Sequence, residues 1–412
     1  MSLASSLFSH PHQAFSTGFY RNESFDYELR ILLGHATYGA SDTGEVLSAL
    51  TDIGDKDYEG WYEAWFDLGS RIFEQAEASA NAGHPRSASN AYLRAASYFG
   101  VAVNAVDGLS DDSVLVPTFR HHRQAWDRFV DTTAQSVERV RIPYEDTTMP
   151  GYFFSPPGEV RRPTLIMVNG SDGPISSMWV SGGAGALERG YNVLMFDGPG
   201  QQSMLFEHNV PFRHDWEAVI TPVVDFLVDR PDVDASKLAM YGISQGGYWV
   251  PQALAFEHRI AAAIADPGVV DVSASWLKHI PRGMQNLLDE GKADAFDRDM
   301  AMAMRASKDT ARTWRFRSRP YLADSYFSTL AEVRKYRLEH VAGSITTPML
   351  ITDPEGEQFW PGQSSRLAEL SGGSTTVVPF TAAEGANLHC QPMARRLTDQ
   401  RMFDWLDEQL GL

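Results

Sequence analysis

Short apolar runs recur from about residue 139 onward, and segments of helix length separate them. In chain order the runs are TLIMVNG (164–170), YNVLMFDG (191–198), KLAMYGIS (237–244), RIAAAIADPG (259–268) and PMLIT (348–352). Runs that are apolar on both sides indicate strands buried on both faces, and the helices between them indicate βαβ units. The pattern predicts an α/β fold with a mostly parallel sheet, completed by a final helix over residues 395–410.

The remaining segments have a different periodicity. Apolar residues at three- and four-residue spacing predict helices over 61–83, 87–106 and 119–137. Residues 137–157 predict two short strands around a turn at Met149-Pro150-Gly151. We therefore predict a helical N-terminal region over 1–138, a core formed by 139–267 and 346–412, and an inserted helical segment over 268–345.

Charge and cysteine content exclude several classes of protein. The chain of 412 residues has 35 Lys+Arg and 53 Asp+Glu, so its formal charge is 35 − 53 = −18. This balance argues against nucleic-acid binding and against binding to acidic lipids, because both need clustered basic residues. The single cysteine, Cys390, forms no intrachain disulfide, and no Cys-x-x-Cys motif predicts a metal site. We expect neither a metal nor a cofactor.

The location of the protein is also predicted from the sequence. MSLASSLFSHPHQAF (1–15) has no basic segment and no apolar run of signal-peptide length. No stretch approaches the roughly 18 consecutive apolar residues of a membrane span. We expect a cytoplasmic protein that acts on a small molecule and has neither a nucleic-acid nor a membrane partner.

The motif Gly242-Ile243-Ser244-Gln245-Gly246 lies where a strand passes into a helix. LAMY precedes it, and an apolar helix opens at Gly247. A strand, a sharp turn and a helix are what a nucleophile elbow requires, because small neighbours let the strand and the helix approach. The helix N-terminus adds positive potential near a developing oxyanion. Ser244 is therefore predicted to be a nucleophile.

A serine hydroxyl needs a base and an acid to act as a nucleophile at neutral pH. In α/β-hydrolases the acid and the histidine follow the serine in that order, and His389 lies in the expected loop before the last helix. After PMLIT, the usual turn G-x-x-D-x-x-x-P aligns with Pro354 at the glycine and Pro361 at the proline. This alignment makes Glu357 the predicted acid, and Asp353 is the alternative.

The oxyanion hole needs two backbone donors. The first predicted donor is the N–H of Gln245, which follows the nucleophile, and the second is Ser171 in the loop after LIMVNG. The loop Asp197-Gly198-Pro199-Gly200 follows the next strand, and we interpret it as shaping the crevice at the carboxyl ends of the strands.

Four segments occur in the order typical of α/β-hydrolases: VNGSDG, FDGPGQQS, GISQGGY and EGANLHC. With YLRAASYF and IPYEDTTMPGYFFSP, they resemble one branch of this superfamily. That branch contains 2,6-dihydroxypseudooxynicotine hydrolase and the fungal polyketide chain-shortening hydrolases of naphthopyrone pigment pathways. The resemblance extends from about residue 60 to the end of the chain.

The resemblance implies several properties. In the family, the N-terminal helices and the inserted helical segment form a cap over the site, and some members cleave a C–C bond next to a ketone. Other members resemble esterases or peptidases. Family members use Ser, Asp and His, so Glu357 would depart from the pattern. A homodimer is implied by the resemblance alone.

The aromatic-rich insertion predicts an enclosed, mostly apolar pocket. Asp271 and Trp276 follow the strand that ends near Asp266, and they are candidates to face this pocket. We interpret His121-His122 and the cluster Arg312, Arg315, Arg317 and Arg319 as solvated or ion-paired surface.

Three functions are compatible with these features. In the first, Ser244 attacks an ester, a thioester or a ketone carbonyl, and water releases the acyl-enzyme. In the second, an internal hydroxyl or amine replaces water, so the enzyme transfers an acyl group or closes a ring. In the third, the fold binds a ligand without turnover.

Overall fold

The computed structural model describes residues 17–158 and 160–412. In these residues the strands are β1 (Ser136–Tyr144), β2 (Thr147–Ser155), β3 (Arg162–Val168), β4 (Asn192–Phe196), β5 (Val233–Ile243), β6 (Ala262–Asp266), β7 (Met349–Pro354) and β8 (Thr375–Phe380). They form one sheet in the order β1-β2-β4-β3-β5-β6-β7-β8. The pairs β1/β2 and β2/β4 are antiparallel, and all other neighbours are parallel.

The helices before the sheet are α1 (Glu23–His35), α2 (Thr43–Ala49), α3 (Tyr58–Asn81), α4 (Pro85–Ala105) and α5 (Leu115–Thr132). Those between β3 and β6 are α6 (Ile175–Met178), α7 (Ala184–Glu188), α8 (Gln202–Phe206), α9 (Glu217–Val228) and α10 (Gly246–Leu254). Between β6 and β7 lie α11 (Ala274–Leu277), α12 (Arg282–Asp289), α13 (Ala293–Ala306), α14 (Lys308–Ser318) and α15 (Tyr326–Val333). The chain ends with α16 (Gln363–Leu370) and α17 (Arg395–Leu410).

The two faces of the sheet are covered by different sets of helices. In β3, Leu165 and Met167 pack in a core shared with α1, α3, α4, α5 and α17. Ile166 and Val168 point to the opposite face and pack with α9, α10 and several helices that lie between β6 and β7. Successive side chains of a strand alternate between faces, so a strand covered on both sides must be apolar throughout. The predicted fold class, an α/β fold with a mostly parallel sheet, is confirmed.

The predicted position of the first turn is wrong. Strands β1 and β2 are joined at Glu145 and Asp146, with Glu145 at a φ of 44°. Met149-Pro150-Gly151 lies inside β2 instead. Gly151 is required there because a Cβ would lie 2.8 Å from the carbonyl oxygen of Met195 on β4. The glycine reflects the close approach of two strands rather than a turn.

Two other elements differ from the sequence prediction. The helix predicted over 119–137 ends at Thr132, and β1 begins at Ser136. Strand β8 was not predicted, because in this edge strand all residues except Phe380 are partly or fully exposed, so its sequence lacks the apolar run of a strand buried on both faces. The domain bounds stay a prediction, and residues 1–15, on which the absence of a signal peptide rests, lie outside the described residues.

Candidate active site

Ser244 lies at a sharp turn between β5 and α10. Its φ is 55°, a left-handed conformation that is uncommon for residues other than glycine. A Cβ on Gly246 would lie 2.6 Å from the carbonyl oxygen of Val168, and one on Gly247 would overlap the carbonyl oxygen of Pro267. Only glycine fits these positions, so the small residues of the motif allow the tight turn that exposes the serine.

His389 and Glu357 continue a hydrogen-bonded chain that begins at Ser244. Ser244 Oγ lies 2.8 Å from His389 Nε2, and His389 Nδ1 lies 2.8 Å from Glu357 Oε2 and 3.1 Å from Oε1. The side chains of His389 and Glu357 are 3% and 5% exposed. The tautomer with its proton on Nδ1 donates to Glu357 and accepts from Ser244, which is the arrangement a general base needs.

The structure places Glu357, and not Asp353, beside His389. Glu357 Oε1 also accepts the backbone N–H groups of Phe359 and Trp360 at 2.9 and 3.1 Å, so the loop after β7 holds this carboxylate in place. Burial acts to raise the pKa of Glu357, but His389 and these hydrogen bonds outweigh it and lower the pKa. Asp353 forms no hydrogen bond with His389, and burial raises its pKa.

His389 is held by groups distant in the sequence. The hydroxyl of Tyr27 on α1 donates to the carbonyl oxygen of His389 at 2.7 Å, and the N–H of His389 donates to Gln358 Oε1 at 3.1 Å. Burial acts to lower the pKa of His389, but Cys390 and Glu357 outweigh it and raise the pKa above its ordinary value. Sequence reasoning missed Tyr27, because no local motif relates it to a residue 362 positions away.

Both predicted oxyanion donors lie near the serine. A Cβ on Gly170 would lie 3.4 Å from Ser244 Oγ, so the loop that carries Ser171 passes directly beside the hydroxyl. Among the described residues, neither the N–H of Ser171 nor that of Gln245 has a hydrogen-bond acceptor. Unpartnered N–H groups beside a nucleophile are what an oxyanion hole requires. The oxyanion hole stays a prediction.

The loops after β3 and β4 support one another. Gln201 Nε2 donates to the carbonyl oxygens of Asn169 and Gly170 at 2.9 and 3.1 Å, and Gln201 Oε1 accepts the N–H of Gly198 at 2.8 Å. Asn169 Oδ1 in turn accepts the N–H of Gly170 at 2.9 Å. The loop after β4 therefore braces the loop that carries Ser171.

A cavity of about 1450 Å³ opens above Ser244 and His389. Its walls come from α1, α3, α4, the loop after β3 and the segment between β6 and β7. Its aromatic wall residues include Phe25, Trp61, Phe212, Trp276, Phe316 and Tyr321. Trp276 lines the cavity as expected. Asp271 does not, because its carboxylate binds Ser273 at 2.6 Å and Arg337 at 2.9 Å.

Two carboxyl groups also line this cavity. Burial and the nearby Asp172 raise the pKa of Glu28 to about 7, although Asn104 donates to it at 3.2 Å. Burial raises the pKa of Asp172, although the hydroxyl of Ser171 donates to it at 3.2 Å. Carboxyl groups with raised pKa values are common at functional sites. Sequence reasoning missed both, because their burial depends on contacts between distant segments.

The structure also bears on metal and membrane binding. Within residues 17–158 and 160–412, no group of three or more His, Cys, Asp or Glu side chains is arranged to hold a metal ion. Over the same residues, no helix combines the length and the apolar character needed to cross a bilayer.

The elbow at Ser244, the hydrogen-bonded chain and the sheet order are typical of α/β-fold serine hydrolases. Similarity to known proteins supports this class. Residues 180–315 match the model of the prolyl oligopeptidase family. The chain is 29% identical to "Hydrolase LUC6" of Fusarium sp over 97% of this chain and 99% of that one. It is 34% identical to "20-hydroxy-prefusarin hydrolase FUS2" of Gibberella moniliformis over 63% of each chain.

A solved structure extends the likeness to the whole fold. The crystal structure of 2,6-dihydroxy-pseudo-oxynicotine hydrolase superposes with a TM-score of 0.69 and 20% identity, covering 93% of this chain and 95% of that one. The chain therefore has the α/β-hydrolase fold and is a serine hydrolase. Its resemblance to the branch that contains these hydrolases is confirmed.

Proposed function

We propose that the enzyme cleaves an acyl bond of a small aromatic or polyketide-like substrate through Ser244, His389 and Glu357. The bond is an ester or a C–C bond next to a ketone. The observation that carries the proposal is the unbroken series of contacts from Ser244 Oγ to His389 and from His389 to Glu357, each at 2.8 Å. This series opens into the cavity, where a substrate carbonyl can reach the hydroxyl.

The proposed reaction has two halves. Ser244 Oγ attacks the carbonyl carbon while its proton moves to His389 Nε2, and the N–H groups of Gln245 and Ser171 stabilise the oxyanion. The tetrahedral intermediate collapses when His389 protonates the leaving group. Water then attacks the acyl-enzyme, His389 takes the water proton, and the acid departs as Ser244 regains its proton. For C–C cleavage the leaving group is a carbanion, which must be stabilised as an enolate or phenolate.

The substrate class rests on the cavity and on relatives. The volume of the cavity, about 1450 Å³, exceeds the roughly 300–1000 Å³ of ordinary ligand pockets, and the cavity wall is rich in aromatic side chains. A relative at 34% identity is named as a 20-hydroxy-prefusarin hydrolase, which supports hydrolysis of an organic molecule. We retain three further predictions: a cap formed by the helical segments around this cavity, a cytoplasmic location and a homodimer.

A fluorophosphonate probe tests the nucleophile. We expect intact-protein mass spectrometry to detect one adduct on the wild type and none on Ser244→Ala, because only an activated serine reacts. Ser171→Ala is the matched control, since it removes another hydroxyl of the cavity while keeping the backbone N–H. An adduct that persists on Ser244→Ala would contradict the proposal, as would a folded wild type that neither reacts nor hydrolyses 4-nitrophenyl acetate.

Ring closure or acyl transfer is the second candidate, and the size of the cavity favours it. A long substrate can fold back so that its own hydroxyl or amine attacks the acyl-enzyme. Reaction in ¹⁸O-labelled water distinguishes the two outcomes once a substrate has been identified. Hydrolysis places one labelled oxygen in the acid product, whereas ring closure or transfer places none.

A further inference from the structure

Arg317 on α14 lines the cavity, and within the described part of the chain it has no carboxylate partner. Its Nη2 donates to Ser275 Oγ at 2.7 Å, and its guanidinium carbon lies 4.3 Å from the ring centroid of Trp276. Burial lowers its pKa to about 10, which still leaves it protonated at neutral pH. Tyr321 and Asp172 act in the opposite direction on this pKa, and the ion pairs of the described residues include none between Arg317 and a carboxylate.

Two neighbouring arginines, unlike Arg317, bind Asp107 and so connect parts of the fold. Arg319 binds the buried Asp107 through both terminal nitrogens at 2.6 and 2.8 Å, and Arg315 donates to the carbonyl oxygen of Asp107 at 2.9 Å. These two residues connect α14 and the turn after it to the segment after α4. The interpretation of Arg317 as surface is wrong, since it lines the cavity.

Two more polar side chains of the cavity wall are near Arg317. Tyr321 and Gln245 are 6% and 4% exposed, and among the described residues neither Tyr321 Oη nor Gln245 Nε2 has a hydrogen bond of ordinary geometry, although the Gln245 amide interacts with the Tyr321 hydroxyl. Arg317, Tyr321 and Gln245 all line the same cavity, and Arg317 and Gln245 act against the rise that burial causes in the pKa of Tyr321. Buried polar atoms without partners are rare and require an explanation.

The chemistry of the cluster defines its ligand. A guanidinium and the N–H₂ of an amide only donate hydrogen bonds, and a phenol can donate as well. Three donors that include a buried cation match an oxygen group with negative charge. Gln245 directly follows Ser244, so the cluster lies next to the proposed nucleophile.

We propose that Arg317, Tyr321 and Gln245 form a subsite for an anionic oxygen group of the substrate, either a carboxylate or the enolate of a 1,3-dicarbonyl compound. The position of this group beside the attacked carbonyl rests on the proposed function of Ser244. The subsite then selects substrates that carry a charged oxygen close to the bond that is cleaved.

Calorimetric binding of two matched probe pairs at neutral pH tests the subsite. The first pair is 2-naphthoate and 2-naphthamide, which share a shape and differ in charge. The second pair is dimedone, an ionised 1,3-dione, and its neutral O-methyl ether. We expect the full-length protein to bind the anion of at least one pair about tenfold or more tightly than its neutral partner, because charged hydrogen bonds are stronger than neutral ones. The probe pair that shows this preference indicates whether the subsite binds a carboxylate or an enolate.

Variants assign the preference to the cluster. Arg317→Met should remove it, Arg317→Lys should retain part of it, and Tyr321→Phe should reduce it without removing a charge. Arg305→Met is the matched control, because it removes a positive charge from an exposed position on α13. Equal binding of anion and neutral probe by the wild type would overturn the proposal. An anion preference that persisted in both folded Arg317→Met and folded Tyr321→Phe would also contradict the proposed subsite.

This measurement is independent of turnover. Binding of the probes does not need an activated serine, so an anion preference can be found even if the fluorophosphonate reaction fails. Conversely, a normal fluorophosphonate adduct on a protein without any anion preference would overturn the subsite and leave the proposed function intact.

Discussion

Glu357→Gln tests the proposed acid most sharply, because the new side chain keeps the shape of the old one. Oε1 of Glu357 accepts the N–H groups of Phe359 and Trp360, while Oε2 faces His389 Nδ1 at 2.8 Å. An amide that keeps its oxygen on the two backbone groups therefore presents its NH₂ to His389. The imidazole must then hold its proton on Nε2, where it cannot accept from Ser244.

The wrong tautomer is expected to be costly. The corresponding carboxylate-to-amide change in a serine protease triad lowers kcat by about 10⁴-fold, which corresponds to about 5 kcal/mol in the activation barrier. We expect a similar loss in kcat for 4-nitrophenyl acetate and in the rate of fluorophosphonate labelling. Asp353→Asn is the control, and it should keep activity within about threefold of the wild type, because Asp353 forms no hydrogen bond with His389.

The opposite pattern would refute the assignment. Nearly full activity in Glu357→Gln together with a large loss in Asp353→Asn would show that the loop after β7 rearranges to bring Asp353 to His389. Thermal unfolding of both variants separates a loss of activity from a loss of folded protein.

Two further predictions concern the base and the elbow. The pKa of His389 is raised above 6.5, and His389 must be neutral to act as a base. We therefore expect kcat/KM to increase with pH, with a midpoint above 6.5 in the wild type and a lower midpoint in Glu357→Gln. A wild-type midpoint below 6.5 would contradict this expectation. Gly247→Ala should lower the free energy of unfolding in urea by about 1–3 kcal/mol, because its Cβ overlaps the carbonyl oxygen of Pro267. Gly283→Ala, which meets nothing within 4 Å, is the control, and equal stability would refute the packing argument.

The fold and part of the site follow from local patterns. Strands buried on both faces have apolar runs, so β3 to β7 could be located from these runs and from the helix-length segments between them. The elbow at Ser244 is equally local, because the glycines, the strand and the helix that shape it are adjacent in the sequence. His389 was located by chain order, since it lies in the loop before α17.

Features that depend on contacts between distant segments could not be predicted from the sequence. Gly151 resembles a turn residue but packs against the neighbouring strand β4, and the exposed edge strand β8 lacks the continuous apolar run of the central strands. Tyr27 and Glu28 enter the cavity from a helix more than 200 residues before Ser244. Their positions depend on how α1 packs against the loops of the core.

The sequence by itself determined the α/β core, the elbow serine and the loop histidine, because each is encoded by residues adjacent along the chain. Only the tertiary structure decided which of two carboxylates meets His389, since Glu357 and Asp353 lie four positions apart and loop conformation sets their distances. The same holds for Arg317, whose side chain lies among arginines that pair with Asp107 but faces the cavity instead. Burial and pairing are properties of packed segments, so a local pattern does not contain them.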